Sequence, residues 1–480
     1  MGVLEGLQPS SVFGFFEEIS AIPRETFDTR RISDYCVEFA RKRNLKVIQD
    51  EVNNIIIKKS GTKGYENAAP VILQGHLDMV CEKVEGSSHD FKKDGLDLFI
   101  EDGFIKARGT TLGADDGIAV AYALAVLDSE DIPHPPVEAL FTVDEEVGMG
   151  GAAALNISQL NGTRLLNIDS DVEGTILAGC AGGFRQTFTL PIKREQRDGD
   201  IVTIQIGGLR GGHSGSEIDQ QRGNANKMMA RLLNRLNQNT ELRLIDCFGG
   251  SKDNVITPSC KARIVTDNGE KVKRMIDKMA ETWRTEFQED EPDMEVTCEM
   301  STKTAACMTK TCSDKAIFVL ACTPYGVQGE SRSLKGLVET SLNMGMVFTE
   351  ESNFTVVYLI RSSVTSKLDE MQETLNAWAA QMEMKSEISG QYPAWMYRPD
   401  SRLRQIAADT FRQLFDREPV ITTIHAGLEC GILSGKKPEL DCISFGPITY
   451  DIHSVHERLD IASTMRMWEF LKAMLANCRD

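Results

Sequence analysis

Val71-Ile-Leu-Gln-Gly-His-Leu-Asp78 is an apolar run that closes on a histidine and an aspartate. Such a run before a glycine predicts a buried strand. Side chains alternate along a strand, so His76 and Asp78 share a face. A histidine at the end of a buried strand, with a carboxylate two residues on, suits metal ligation. The carboxylate takes the second ring N–H and fixes the tautomer. His-x-Asp triplets also arise by chance, so the surrounding chain has to decide.

The neighbouring segments alternate between helix and strand. Apolar residues at helical spacing predict a helix over 28–43, and the Ala- and Leu-rich stretch 116–128 reads as a buried helix. Strands are expected at 47–48, 55–57, 71–76, 137–143 and 165–168, with a short helix at 152–160. This is α/β with a mixed, mostly parallel sheet flanked by helices. Gly179-Cys-Ala-Gly-Gly183 marks a boundary. Beyond it, strands at 186–190, 201–206, 295–300 and 354–361 and helices at 219–238, 270–288, 314–322 and 366–383 form an inserted second α/β domain. Residues 392–399 read as a return linker, followed by a helix at 401–415, a strand at 442–445 and a helix at 460–477. The expected division is 1–185 and 393–480 for one domain, with 186–392 inserted as the other.

A chain of 480 residues exceeds what one core holds. No apolar run approaches a membrane span, and the first residues carry no basic segment followed by an apolar one. A cytoplasmic protein is expected. The net charge of −18 argues against nucleic acid and anionic membranes as partners, which require clustered Lys and Arg. The 12 cysteines include no Cys-x-x-Cys pair, so a zinc ribbon or thioredoxin-like site is not expected. Only seven histidines are present, which makes any histidine–acid cluster conspicuous.

Four further stretches place acids or histidines after strands or at a helix start. Gly113-Ala-Asp-Asp-Gly117 precedes the Ala-rich helix, where an acid also serves as a cap or dipole partner. Val143-Asp-Glu-Glu-Val147 follows a strand; its three carboxylates need a cation, solvent or protonation. Asp169 ends a strand in Asn167-Ile-Asp-Ser-Asp171. Gly446-Pro-Ile-Thr-Tyr-Asp-Ile-His-Ser-Val-His-Glu457 follows the strand at 442–445. Open α/β sheets bind ligands at the carboxyl ends of their strands. The pooled set is two histidines and several carboxylates with no cysteine, which suits zinc or manganese and is numerous enough for two ions. Gly148-Met-Gly-Gly151 lacks the Lys-Ser/Thr of a phosphate-binding loop and reads as the start of a helix.

The order His-x-Asp, Gly-Ala-Asp-Asp-Gly, Asp-Glu-Glu, Ile-Asp and a late His-Ser-x-x-Glu resembles the M20 metallopeptidases. Ala21-Ile-Pro-Arg24, Gln74–Cys81, Thr111–Gly117, Gly212-His-Ser-Gly215 and His425–Gly431 are most similar to the aminoacyl-histidine dipeptidases of that family, also called Xaa-His dipeptidases or peptidase D. The resemblance implies a zinc-peptidase-like catalytic domain with an inserted lid and dimerisation domain, and a homodimer. It also implies two divalent ions, most readily Zn, with Mn or Co suited as well. His76 and Asp169 would hold one ion, Glu146 and His453 the other, and Asp115 would bridge. Asp78 would orient His76, and Glu145 would be the general base. In the family the bond after the bridging aspartate is cis, so Asp115–Asp116 is a candidate. The family's His-Ser-Pro-x-Glu pattern selects His453 over His456, with Val455 in place of Pro.

The inserted domain would add His213 as an oxyanion donor, in its own or a partner's site. Arg361, which ends the strand 354–361, would grip a substrate carboxylate. Asn254, His425 and Glu429 would complete the substrate contacts. The implied reaction is hydrolysis of small dipeptides, Xaa-His and β-alanyl-histidine types included, by a water shared between two ions with Glu145 taking its proton. An aminoacylase or deacetylase of the same family is the alternative enzyme. A degenerate binding protein is the non-enzymatic one; it would have lost a ligand or the base, and none is missing.

Overall fold

The computed structural model describes residues 2–479 and divides into two compact units. The first contains the residues up to Cys180, Trp395–Thr423 and the chain from Leu428 onward; the second contains Ala181–Ala394 and Ile424–Gly427.

The first unit is built on an eight-stranded sheet. Its centre is Val71–His76, fully buried along its length, as its apolar sequence requires. It pairs in parallel with Val137–Thr142 on one side and Arg164–Asn167 on the other, and Asp441–Ser444 pairs in parallel with the latter. These four strands therefore end at one edge of the sheet. Ile55–Lys59 joins Val137–Thr142 antiparallel, which makes the sheet mixed.

The helix Ala114–Asp128 is buried almost all round, which accounts for its Ala-rich sequence. It lies so close to the central strand that a Cβ on Gly75 would sit 2.6 Å from both Ala119 Cβ and Asp116 Oδ2. The helix Ser10–Ser20, not expected from the sequence, adds Phe13 and Phe16 to the same core. The last helix, Ile461–Asn477, stacks Trp468 on Tyr122 at 5.8 Å, and the Tyr122 hydroxyl donates to the Thr464 carbonyl.

The second unit is a nine-stranded sheet whose pairings are antiparallel. Five of its strands, Leu242–Gly249, Cys260–Thr266, Gly326–Glu330, Val338–Thr349 and Lys385–Tyr392, are not expected from the sequence. The helix expected at 219–238 starts later, at Ala225. Asn224 caps it by accepting from the Asn226 and Lys227 amides, and Gln221 just before is left-handed at φ 52°. The helices Gly269–Glu286, Lys310–Cys322 and Thr365–Gln381 fall close to the expected positions.

Candidate metal centre

Each expected ligand comes from the loop edge of the parallel strands or from the start of the buried helix. His76 is the last residue of its strand, and the turn holding Glu145 and Glu146 follows Val137–Thr142. Asp169 follows Arg164–Asn167, and His453 lies beyond Asp441–Ser444, at φ 62°. Asp115 opens the helix, and the Asp115–Asp116 peptide bond is cis, as the family pattern implied.

Asp115 stands between the two histidines. Its Oδ1 is 3.1 Å from His76 Nε2 and its Oδ2 is 3.2 Å from His453 Nε2. His453 Nε2 is also 2.9 Å from Glu146 Oε2. His76 Nδ1 lies 3.1 Å from the Asp78 carbonyl and 3.4 Å from its carboxylate, so the other ring nitrogen faces Asp115. His76, Asp115 and Glu146 form one group whose ligand atoms lie within 4.8 Å of one another; His76, Asp116 and Asp169 form a second. Asp116 is an addition to the expected set. It is buried, and one of its oxygens accepts from the His76 amide.

Asp78 does more than face His76. Its carboxylate accepts from the backbone amides of Glu145 and Glu146, at 3.2 and 3.4 Å, and from Thr26 Oγ1 at 2.9 Å. One buried acid thus positions both the histidine and the turn with the adjacent glutamates.

Two further residues were quoted from the sequence without a structural role. Arg24 is buried and donates to the Leu77, Asp78 and Gly113 carbonyls, tying the His76 strand to the Asp115 loop. Glu457 accepts from four successive amides, Leu112 (2.7 Å), Gly113 (2.8 Å), Ala114 (2.8 Å) and Asp115 (3.3 Å). This satisfies the orphan N–H groups ahead of the helix and anchors the His453 segment to Asp115. Glu457→Ala leaves these buried donors without an acceptor. The metal-free first unit is expected to lose about 3 kcal/mol in urea unfolding, with Glu457→Gln losing less. Wild-type stability in the alanine variant would refute this role.

The electrostatics call for cations. Burial, then the mutual repulsion of neighbouring acids, pushes Asp116, Asp169 and Glu145 well above the ordinary carboxylate range. Burial opposes the imidazolium of His76, but Asp115 and Asp78 outweigh it and hold the pKa high. His453 is raised to about 10 by Asp115 and Glu146. Glu146 Oε1 is buried with no hydrogen-bond partner among the described residues. Arg24, the buried cation alongside, directs its Nη groups to carbonyls. An oxygen-and-imidazole donor set with unneutralised carboxylates fits two divalent ions.

The expected substrate residues fall into two groups. In the second unit, His213 Nδ1 accepts from the Gly215 and Ser216 amides, which leaves Nε2 to carry the proton. Its pKa is lowered by burial and by Arg361. His425 bonds Ser341 Oγ through Nε2 at 2.8 Å and is pushed down to about 3 by burial, Arg361 and His213, so it is neutral. Arg361 is buried and donates to the Tyr392 hydroxyl. Asn254 supports the His213 loop by accepting the Ser214 amide on its carbonyl. Glu429 instead belongs to the first unit, fully buried, with its carboxylate on Gln74 and Thr142.

This chain belongs to peptidase family M20/M25/M40, whose sequence profile matches residues 72–477. It is 38% identical over 479 residues to the cytosol non-specific dipeptidase of Escherichia coli strain K12, covering 99% of each chain. Its structure is similar to that of the aminoacylhistidine dipeptidase from Vibrio alginolyticus, with a TM-score of 0.92, 37% identity, and 98% and 97% of the two chains covered. An M20 family metallo-carboxypeptidase from Sulfolobus solfataricus shares the fold at 14% identity, with 98% and 99% coverage and a TM-score of 0.53. Among the described residues no helix is long and apolar enough to cross a membrane.

Proposed function

We propose that this chain is a cytoplasmic, homodimeric two-metal dipeptidase acting on small dipeptides, with Xaa-His and β-alanyl-histidine types among them. The observation that carries the reading is Asp115, whose two oxygens each face the Nε2 of a different histidine. His76, Asp169 and Asp115 would hold one divalent ion, and Glu146, His453 and Asp115 the other. Zn fits, as do Mn and Co. The names of the E. coli and V. alginolyticus relatives support the dipeptide substrate, and the first of them the cytoplasm.

When bound, the two ions supply an acidified shared water and a polarised carbonyl. Glu145 takes a proton from the attacking water. It then hands that proton to the leaving amine. Asp78 keeps Glu145 in place through the backbone, so the side chain stays available for the proton. His213, in its own or a partner's site, would be the oxyanion donor. Arg361 would bind the terminal carboxylate of the substrate, with Asn254 as a further polar contact and His425 in the specificity pocket.

A panel of Gly-His, carnosine, other dipeptides and N-acetyl amino acids on Zn- and Mn-loaded protein tests the reading. Hydrolysis of the dipeptides is expected, with kcat/KM at least about tenfold above that for any N-acetyl amino acid. Preference for N-acetyl amino acids would transfer the chain to the aminoacylases. No turnover of any substrate with two ions bound would remove the enzymatic reading.

A further inference from the structure

Beneath the ligand loops, the parallel strands carry a row of buried polar side chains. Gln74 stands two residues before His76 and Asn167 two before Asp169, and the strands align these two in register. Thr142 aligns with His76 on the other side. Asn167 Nδ2 donates to Gln74 Oε1 at 2.6 Å, and Gln74 Nε2 donates to Glu429 Oε2 at 2.5 Å. Thr142 Oγ1 donates to the same Glu429 oxygen at 2.7 Å.

Glu429 is therefore the acid at the end of a neutral row. It is 0% exposed, and its Oε1 has no partner among the described residues. Both donors to Oε2 are uncharged. The carboxylates nearby, Asp116, Asp169 and Glu145, each experience Glu429 as a like charge. Burial pushes the Glu429 carboxyl up to about 7, so its charged form is favoured only where a cation lies near it. His76 and Asp169, two of the proposed ligands, stand two residues beyond Gln74 and Asn167 along the chain.

We propose that Glu429 is a positioning residue for the two-ion site, touching neither ion but raising their affinity by holding a negative charge under the ligand loops. This rests on the two-metal reading. Its sign is opposite in the two states of the protein: the charge opposes folding of the metal-free chain and favours the loaded one. A residue needed only for packing would stabilise both.

The test is Glu429→Gln, which keeps the shape and an oxygen for Gln74 and Thr142. Zn dissociation constants are measured by competition with a chromogenic chelator, and thermal midpoints are taken with and without Zn. Affinity is expected to fall at least about tenfold, the lower end for residues that act on a metal through its ligands. The midpoint of the metal-free variant should stay level or rise. Glu429→Asp, which keeps the charge, should bind more tightly than the Gln variant. Wild-type affinity in Glu429→Gln would overturn the proposal. So would a metal-free midpoint that falls together with affinity, which marks a structural role. Failure of the wild-type chain itself to take up divalent ions would overturn both this proposal and the two-metal reading.

Discussion

Glu145→Gln is expected to lower kcat for dipeptide hydrolysis by about 10³-fold or more, at the upper part of the range for loss of a general base. Metal content should remain at the wild-type level, because neither ligand group contains Glu145. The amide isostere keeps the backbone hydrogen bond from residue 145 to Asp78 and leaves the fold of the turn intact. It also removes an acid from a crowded cluster of carboxylates, so stability should not fall. The change is expected in kcat with little movement of KM, as for an interaction made during the chemical step. A Gln variant within tenfold of wild type would exclude Glu145 as the base.

Asp115→Ala should abolish binding of both ions. Its two oxygens face different imidazoles, so the substitution removes a ligand from each position. Affinity for each ion is expected to fall more than about 100-fold, beyond what loss of an outer partner produces. Asp169→Asn is the contrast. Asp169 belongs to one of the two ligand groups, so its loss should weaken one ion and leave the other in place. Elemental analysis after dialysis distinguishes them. One ion retained at wild-type affinity in Asp115→Ala would show that the carboxylate does not bridge.

The loops that gather at the candidate site were legible because each combined two local signals, an apolar strand and a polar residue where it ends. His76, Glu146 and Asp169 belong to this class. The supporting residues carry no such signature. Glu457 acts on amides of residues 112–115, and Glu429 acts through Gln74 and Thr142. These partners are fixed by how the sheet closes, not by spacing along the chain. Asp116 was visible only as the neighbour of Asp115.

In the second unit the missed strands have mixed faces. Leu242–Gly249 carries Arg243 and Asp246 within an apolar run, and a register shift between Leu244 and Asp246 breaks its alternation. Val338–Thr349 holds Ser341, Asn343 and Gly345, residues that read as loop until their pairing is known. Cys260–Thr266 does alternate, with its odd polar positions exposed, and its pattern was available to be read. The late start of the helix at Ala225 turned on the Asn224 cap, a signal one residue long.

The bond between Glu457 and the amides ahead of the buried helix joins residues 342 to 345 positions apart. Everything between them, including the whole second unit, is translated before that bond can form. A chain emerging from the ribosome displays His76, Asp115 and Asp169 early, yet His453 and the anchor for the Asp115 loop come after the insert. On the two-metal reading proposed above, a nascent chain lacking residues beyond 452 is without one of the two histidines that would hold the ions.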